Sequence, residues 1–293
     1  MTLRTIQEKD IEQCIRIWID IFGDSPVYTS WFFHNRFAAD YGVCCEDNGK
    51  IVSVIHAYPM PVKYLGVARK GAIVGGISTL PEYRGRGLMH RLMDFLKENL
   101  LSKGVEVFTY TAVNPEVYYS CDHYPCTERG YFTYINKFDA GVRLTTEFNC
   151  QKALDCYCEF AKKYDGIILR DYKLMELRSQ DLFTEKCGYY ALEDKAYCFV
   201  AMKDGNAAIQ EVCYKNPEDI FVLFSGLQAK EISGFIPADF PQIERFSNLE
   251  IKSHATIVPI TASLIPAEPV SLSIGKRTEK LLLCPSTFIW EEY

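Results

Sequence analysis

Apolar and polar residues alternate along this chain in two periods, and the changes of period outline its elements. Residues 2–7 read as a short strand. From Ile11 the period becomes helical: Ile11, Cys14, Ile15, Trp18, Ile21 and Phe22 fall three and four apart on one face. Asp10 is placed to cap this helix and Gly23 to end it. Residues 28–37 form a second helical stretch in which Trp31, Phe32 and Phe33 serve either as core or as a wall closing over a ligand. Residues 41–65 then read as a hairpin, with Val43, Cys44 and Cys45 on one arm, Asn48-Gly49 at the turn, and Ile51, Val52, Val54 and Ile55 on the other.

The most informative stretch is a strand over 71–80, a glycine-rich turn over 81–87, and a helix whose apolar positions are Leu88, Leu92, Phe95, Leu96 and Leu100. Residues 105–113 form a further strand, after which Asn114 caps a short helix begun by Pro115. Strands near Tyr124 and over 131–138 complete a first unit, 1–140. A helix over 147–163 opens a second unit, 141–293. There, residues 197–200 and 208–213 flank Asp204-Gly205 and repeat the hairpin layout of 43–55, so the second unit is expected to be a related copy of the first.

At 293 residues, 48% hydrophobic, 24% charged and 14% aromatic, the chain is long and apolar enough for two folded domains. A net charge of −6 argues against a general nucleic-acid binder, which needs clustered Lys and Arg, and suits a cationic amine partner. The N-terminal segment carries charges where a secretory signal is apolar, and no run approaches the ~20 apolar residues of a membrane span. A cytoplasmic protein without membrane association is expected, with its 12 cysteines reduced. None of them has Cys-x-x-Cys spacing, so no metal site is expected. A homo-oligomer stays open.

A glycine-rich turn between strand and helix gathers backbone N–H groups at the positive end of the helix dipole, which makes an anion site. Gly85 and Gly87 have no Cβ to hold phosphate oxygens away from the backbone. Gly-x-Gly alone is weak. The segment lacks both the Gly-x-Gly-x-x-Gly of dinucleotide-binding folds and the Gly-Lys-Ser/Thr of P-loops.

Residues 80–93, LPEYRGRGLMHRLM, resemble the acetyl-CoA motif of the GCN5-related N-acetyltransferases, Arg/Gln-x-x-Gly-x-Gly/Ala, with Arg84 and Gly87 at matching positions and Met89 replacing the final small residue. Within that superfamily the Leu-Met ending, the downstream tyrosine and the second unit resemble the enhanced intracellular survival type, whose members usually carry a third, sterol-carrier-like domain that this chain is expected to lack or to have only in part. The resemblance implies a mixed α/β fold of this family (a central sheet flanked by helices), followed by a second, degenerate copy contributing to the acceptor cleft.

It also implies roles for residues. The backbone of Ile77, Ser78 and Thr79 would pair with the pantetheine arm of acetyl-CoA, while Arg84, Gly85, Arg86, Gly87, Leu88, Met89 and His90 wrap its pyrophosphate. Asn114 stands where relatives contact the coenzyme and is also a helix cap. Tyr119 fits the family's Tyr-x-x-x-Gly-Phe/Tyr register and would protonate the departing thiolate; His123 replaces the glycine, and Tyr118 is the alternative tyrosine. A general base is still needed. The Tyr293 carboxylate is the candidate the resemblance supplies, and His56, His90 and His123 are the other titratable groups. The expected activity is acetyl transfer to a primary amine on a small molecule, a peptide N-terminus or a lysine. A catalytically inactive acyl-CoA sensor is the alternative, and aminoacyl transfer from tRNA fits the acidic chain less well.

Overall fold

The computed structural model describes residues 1–261, 263 and 264. The chain divides into two units, one containing Met1–Pro125 and the segment from Ala255, the other Cys126–His254.

In the first unit, β1 (Thr2–Thr5) leads to α1 (Ile11–Phe22) and α2 (Pro26–Asn35). Gly23, at φ 73°, ends α1 by donating its N–H to the Ile19 carbonyl at 3.0 Å. Asp10 does not cap α1 with its side chain, as the sequence suggested. Its buried carboxylate is claimed by the Arg4 guanidinium at 2.6 and 3.0 Å and by the Gln7 N–H at 2.9 Å. Ser25 supplies the expected kind of cap for α2, accepting from the Tyr28 N–H at 3.1 Å.

The hairpin of β2 (Val43–Asp47) and β3 (Lys50–Pro59) turns at Asn48-Gly49, both with positive φ. A small second hairpin, β4 (Val62–Tyr64) and β5 (Val67–Arg69), precedes β6 (Gly71–Thr79). Next come α3 (Leu88–Ser102), β7 (Val107–Thr111) and a 3-10 turn over Pro115–Cys121. One sheet runs β1-β2-β3-β6-β7-β14, with β14 at Ala255–Pro259. Its pairs are antiparallel except β6 with β7.

The apolar stripe of α3, Leu88, Leu92, Met93, Leu96 and Leu100, packs in one cluster with Val43, Val52, Ile55, Val74 and Phe108 of this sheet. Burying each large side chain stabilises the fold by about 1.5–3 kcal/mol, so this stripe fixes where α3 begins. A second aromatic cluster joins α1, α2 and β3, where the Trp18 ring lies 5.0 Å from Phe32 and 5.4 Å from His56. Phe32 and Phe33 are core, as one of the two sequence readings had it, whereas Trp31 stacks on Tyr28 nearer the surface.

The second unit comprises β8 (Glu128–Ile135), α4 (Cys150–Ala161), α5 (Tyr172–Thr184), β9 (Gly188–Leu192), β10 (Ala196–Lys203), β11 (Asn206–Tyr214), α6 (Asp219–Ser225), β12 (Glu231–Pro237) and β13 (Ser247–Ser253). Asn149 and Asp171 cap α4 and α5. The sheet order is β13-β8-β12-β11-β10-β9, and β11 with β12 is its parallel pair. Three antiparallel strands leading into a parallel pair recur in both sheets, so β9-β10-β11-β12 corresponds to β2-β3-β6-β7. The 197–213 hairpin therefore echoes β3 with β6, not β2 with β3.

Two expectations give way here. No strand forms near Tyr124, where the chain runs irregularly from Asp122 to Thr127. The strand expected to complete the first unit is β8, and it lies in the second sheet between β12 and β13. In return β14, from beyond the second unit's last strand, pairs along β7 in the first sheet. Alternation marks a segment as a strand and says nothing of its partner, so the exchange was invisible to periodicity.

All 11 cysteines among the described residues are free thiols. No helix among them is long and apolar enough to cross a membrane, and no cluster of three or more His, Cys, Asp or Glu among them is placed to hold a metal ion.

Candidate active site

Strand β6 is irregular where the chemistry was expected. Val54 faces Ser78 and His56 faces Gly75, so Gly76 and Ile77 together oppose Ile55 in a β-bulge. Gly76 has φ +56°, and a Cβ there would fall 2.4 Å from a Trp18 ring carbon, so glycine is required. Beyond the bulge, the Ser53 hydroxyl donates to the Ser78 carbonyl at 2.9 Å and lies 2.7 Å from the Thr79 hydroxyl.

The parallel register of β6 with β7 covers only Gly71–Ile73 against Val107–Thr109. Past that point Ile77 lies in the bulge, Ser78 and Thr79 keep β3 on one side, and none of the three has strand pairing on the other side among the described residues. The Ser78 hydroxyl, 6% exposed, has no hydrogen-bond partner among the described residues. An extended chain bearing amides, such as a pantetheine arm, fits this edge as an added strand would.

At the end of β6 the chain makes a 3-10 turn over Pro81–Tyr83 and enters α3 through Arg84-Gly85-Arg86-Gly87. Gly85 and Gly87 are left-handed, at φ +74° and +67°, and no atom lies within 4 Å of where a Cβ would stand at either. Gly87 is the N-cap, and no side chain caps the helix. The first N–H groups of a 15-residue helix thus open outward with the dipole behind them. Arg84 ties the turn together by donating from Nε to the Thr79 carbonyl at 3.1 Å. Arg86 donates to the Glu82 carbonyl at 2.8 Å and lies over the Tyr83 ring, whose hydroxyl donates to Asp47 at 3.1 Å. This ordered, cationic, glycine-lined turn fits a pyrophosphate.

Leu88 is in the core, Met89 is half-buried, and exposed His90 places Nε2 2.6 Å from the Ser120 hydroxyl. That contact links α3 to the Pro115–Cys121 turn. Asn114 caps the turn as expected, its side-chain oxygen accepting from the Glu116 N–H at 3.3 Å.

The two tyrosines separate clearly. Tyr118 packs against the α3 core with its ring edge-on to Tyr110, and burial pushes its hydroxyl up to about 12. Tyr119 is half-buried and stacks on Tyr124 with centroids 4.9 Å apart. His123, in the place of the family glycine, is used inward: Nδ1 is 2.9 Å from the Tyr110 hydroxyl, and burial pulls the imidazole down to about 4. Tyr293 lies outside the described residues. The group sequence reasoning underrated is the bulge at Gly76, for which the pair Gly75-Gly76 inside a β-branched strand was the available signal.

The counterpart in the second unit lacks the cradle. After β11, Lys215-Asn216-Pro217-Glu218 leads into the seven-residue α6 without a glycine turn.

Comparison with known proteins bears on the fold. Among solved structures, a GCN5-related N-acetyltransferase from Anabaena variabilis superposes with a TM-score of 0.73 at 13% identity, over 89% of this chain and 73% of that one. Eis1 from Mycobacterium abscessus gives 0.70 at 12%, over 89% and 74%. The Saccharomyces cerevisiae N-myristoyltransferase with bound myristoyl-CoA gives 0.58 at 11%, over 87% and 77%. At these identities the likeness concerns the fold. No curated protein matches the sequence. Residues 2–125 match the model described as an acetyltransferase (GNAT) domain. The chain therefore has the fold of the GCN5-related N-acetyltransferases, and residues 2–125 are similar to that family's domain model.

Proposed function

We propose that this protein is an N-acetyltransferase that moves the acetyl group of acetyl-CoA to a primary amine. The observation that carries the reading is the uncapped start of α3 behind two left-handed glycines, directly after a strand whose last residues leave one edge unpaired. The backbone of Gly85, Arg86, Gly87, Leu88, Met89 and His90 and the side chains of Arg84 and Arg86 hold the pyrophosphate. Ile77, Ser78 and Thr79 align the pantetheine arm, and Asn114 stands beside it at the head of its turn.

Acetyl-CoA supplies an activated thioester. Backbone N–H groups near Thr79 polarise its carbonyl. Tyr119, free of the core packing that holds Tyr118, is the proton donor to the leaving sulfur. The amine must arrive neutral, and the Tyr293 carboxylate is the candidate that receives its proton. The acceptor is a small molecule, a peptide N-terminus or a lysine. The free thiols and the coenzyme fit the cytoplasm.

Thermal unfolding with acetyl-CoA, free CoA and ATP tests the reading. A ligand at 100 times its Kd stabilises a folded protein by about 2.7 kcal/mol. A shift with both CoA compounds and none with ATP is expected; no shift with CoA compounds rules the coenzyme site out.

A further inference from the structure

Strand β13 is the outermost strand of the second sheet, and all seven of its residues are exposed. Among the described residues it pairs with β8 alone, and no strand runs along its other side. The opposite end of the same sheet is closed: Ala191 of β9 exchanges two backbone hydrogen bonds with Thr145, both at 2.9 Å. β13 thus offers an open row of backbone groups, the kind of edge that another strand extends.

The register fixes which groups these are. After a bulge at Asn248 and Leu249, the residues Glu250, Ile251, Lys252 and Ser253 oppose Tyr131, Gly130, Arg129 and Glu128 in regular antiparallel order. His254 then donates its N–H to the Thr127 carbonyl at 2.8 Å. Inward-bonded and outward-facing residues alternate in such a ladder, so Glu250 and Lys252 bond to β8 while Ile251 and Ser253 turn their N–H and C=O groups outward. The side chains sort as well. Leu249 and Ile251, 36% and 45% exposed, share one face, where a Cβ on Gly130 would fall 3.1 Å from Leu249 Cδ1 and 3.3 Å from Ile251 Cδ1. Glu250 and Lys252 share the other face and pair with each other at 2.9 Å.

The order Glu250-Ile251-Lys252 is complementary to its own reverse. With two copies antiparallel and Ile251 opposite Ile251, the isoleucines exchange two backbone hydrogen bonds through their outward groups. Glu250 of each copy then falls opposite Lys252 of the other, at the positions where cross-strand side chains approach most closely. Edges guarded against association carry charges, typically lysines, that repel a like strand. This edge carries both signs, each placed to meet its opposite.

We propose that β13 is a self-association surface, through which two copies of this chain pair antiparallel about Ile251 and join their second sheets into one. The inference is independent of the acetyltransferase reading. An interface of one strand pair belongs to the class below about 1,200 Å², so the dimer is reversible, with a Kd on the order of 10 μM.

Sedimentation equilibrium of the full chain at low salt, from about 1 to 100 μM, spans that range and tests the proposal. Lys252→Glu makes both facing pairs Glu with Glu, and Glu250→Lys makes both Lys with Lys. Each variant alone should self-associate about tenfold more weakly than wild type, or less. An equimolar mixture of the two should recover wild-type association, because every facing pair again has opposite signs, and the double variant should recover it too. The altered side chains are exposed, so all the proteins should melt together. If a charge reversal lowers the melting temperature, Ile251→Pro takes its place: it removes an outward N–H, leaves the bonds to β8, and should abolish association. A wild-type chain that stays monomeric to about 100 μM, whatever other partner the edge takes, overturns the proposal. A dimer that both single variants keep uses another surface and overturns it as well. Single variants that remain monomeric when mixed refute the pairing about Ile251.

Discussion

Replacing Glu211 by glutamine keeps the shape of a fully buried side chain and removes one negative charge from the interior of the second unit. Glu211, on β11, is 0% exposed. Its two oxygens accept from Arg170 at 2.8 and 2.9 Å, from Arg178 Nε at 3.2 Å and from the Tyr197 hydroxyl at 2.8 Å. Arg178 also reaches Asp181 at 2.8 Å, and Arg170 lies over the Tyr157 ring. Burial by itself would push the Glu211 carboxyl up; the charges and hydrogen bonds of Arg170 and Arg178 outweigh it and hold the group at about 2. Against an unfolded value near 4.3, that difference of roughly 2 units corresponds to about 3 kcal/mol.

The mutational estimate agrees in size. Removing one partner of a buried ion pair leaves the other uncompensated and costs about 3–5 kcal/mol. In a protein whose whole stability is of order 5–15 kcal/mol, that is a large share. Glu211→Gln should lower the melting temperature of the second unit at pH 7 by roughly 10–15 °C, at about 3 °C per kcal/mol. The sign with pH is fixed too: the folded carboxyl titrates below its unfolded value, so its contribution is complete above about pH 4.3 and is lost as the pH falls toward 2. The difference between wild type and variant should therefore shrink through that window in a calorimetric series. A loss below about 1 kcal/mol at pH 7, or a difference that does not shrink in acid, refutes the account of Glu211 as the charge that makes two buried arginines tolerable.

Three further outcomes follow from the first unit. Gly85→Ala or Gly87→Ala puts a Cβ on a left-handed residue facing the phosphate, and loss of one charge-assisted hydrogen bond weakens acetyl-CoA binding by roughly 10–150-fold in calorimetric titration. Tyr119→Phe should lower kcat by about a hundredfold or more in a thiol-release assay while leaving coenzyme affinity unchanged, whereas Tyr118→Phe should leave the rate nearly intact. Burial holds His56 at about 3, below its unfolded value near 6.5, so the unfolded chain takes up the proton first and the folded state loses stability as the pH falls from 6.5 toward 3. Melts at pH 7 and pH 5 should show about 2 kcal/mol more loss in wild type than in His56→Phe.

Sequence reasoning reached the strand, glycine turn and helix because each of these parts leaves a local trace. β6 is a run of Ala, Val, Ile and Gly, the turn has glycine at two positions requiring positive φ, and Leu88, Leu92, Leu96 and Leu100 keep helical period. What escaped was nonlocal. β8 reads the same whether it lies beside β7 or β12, because alternation encodes two faces and no partner. Asp10 looks like an N-cap from its place before Ile11, but Arg4, six residues earlier, holds its carboxylate instead. Tyr118 and Tyr119 are indistinguishable in a motif until the core takes one of them. His56 gave little signal as a histidine among β-branched neighbours; its significance lies in the rings that α1 and α2 bring around it.

The strand exchange has a consequence for the order in which this protein is made. When Pro125 leaves the ribosome, every element of the glycine turn exists, yet β7 still lacks its outer neighbour, which ends at Pro259. Synthesis of the intervening 134 residues (259 minus 125) takes about 7–27 s at 5–20 residues per second. For that interval the nascent chain presents a bare hydrogen-bonding edge beside β7, the kind of surface on which strands of other chains add. The same wait holds for β8, which has no sheet to join until β12 emerges. Both sheets are thus completed late, by β13 and β14, which emerge only after residue 246.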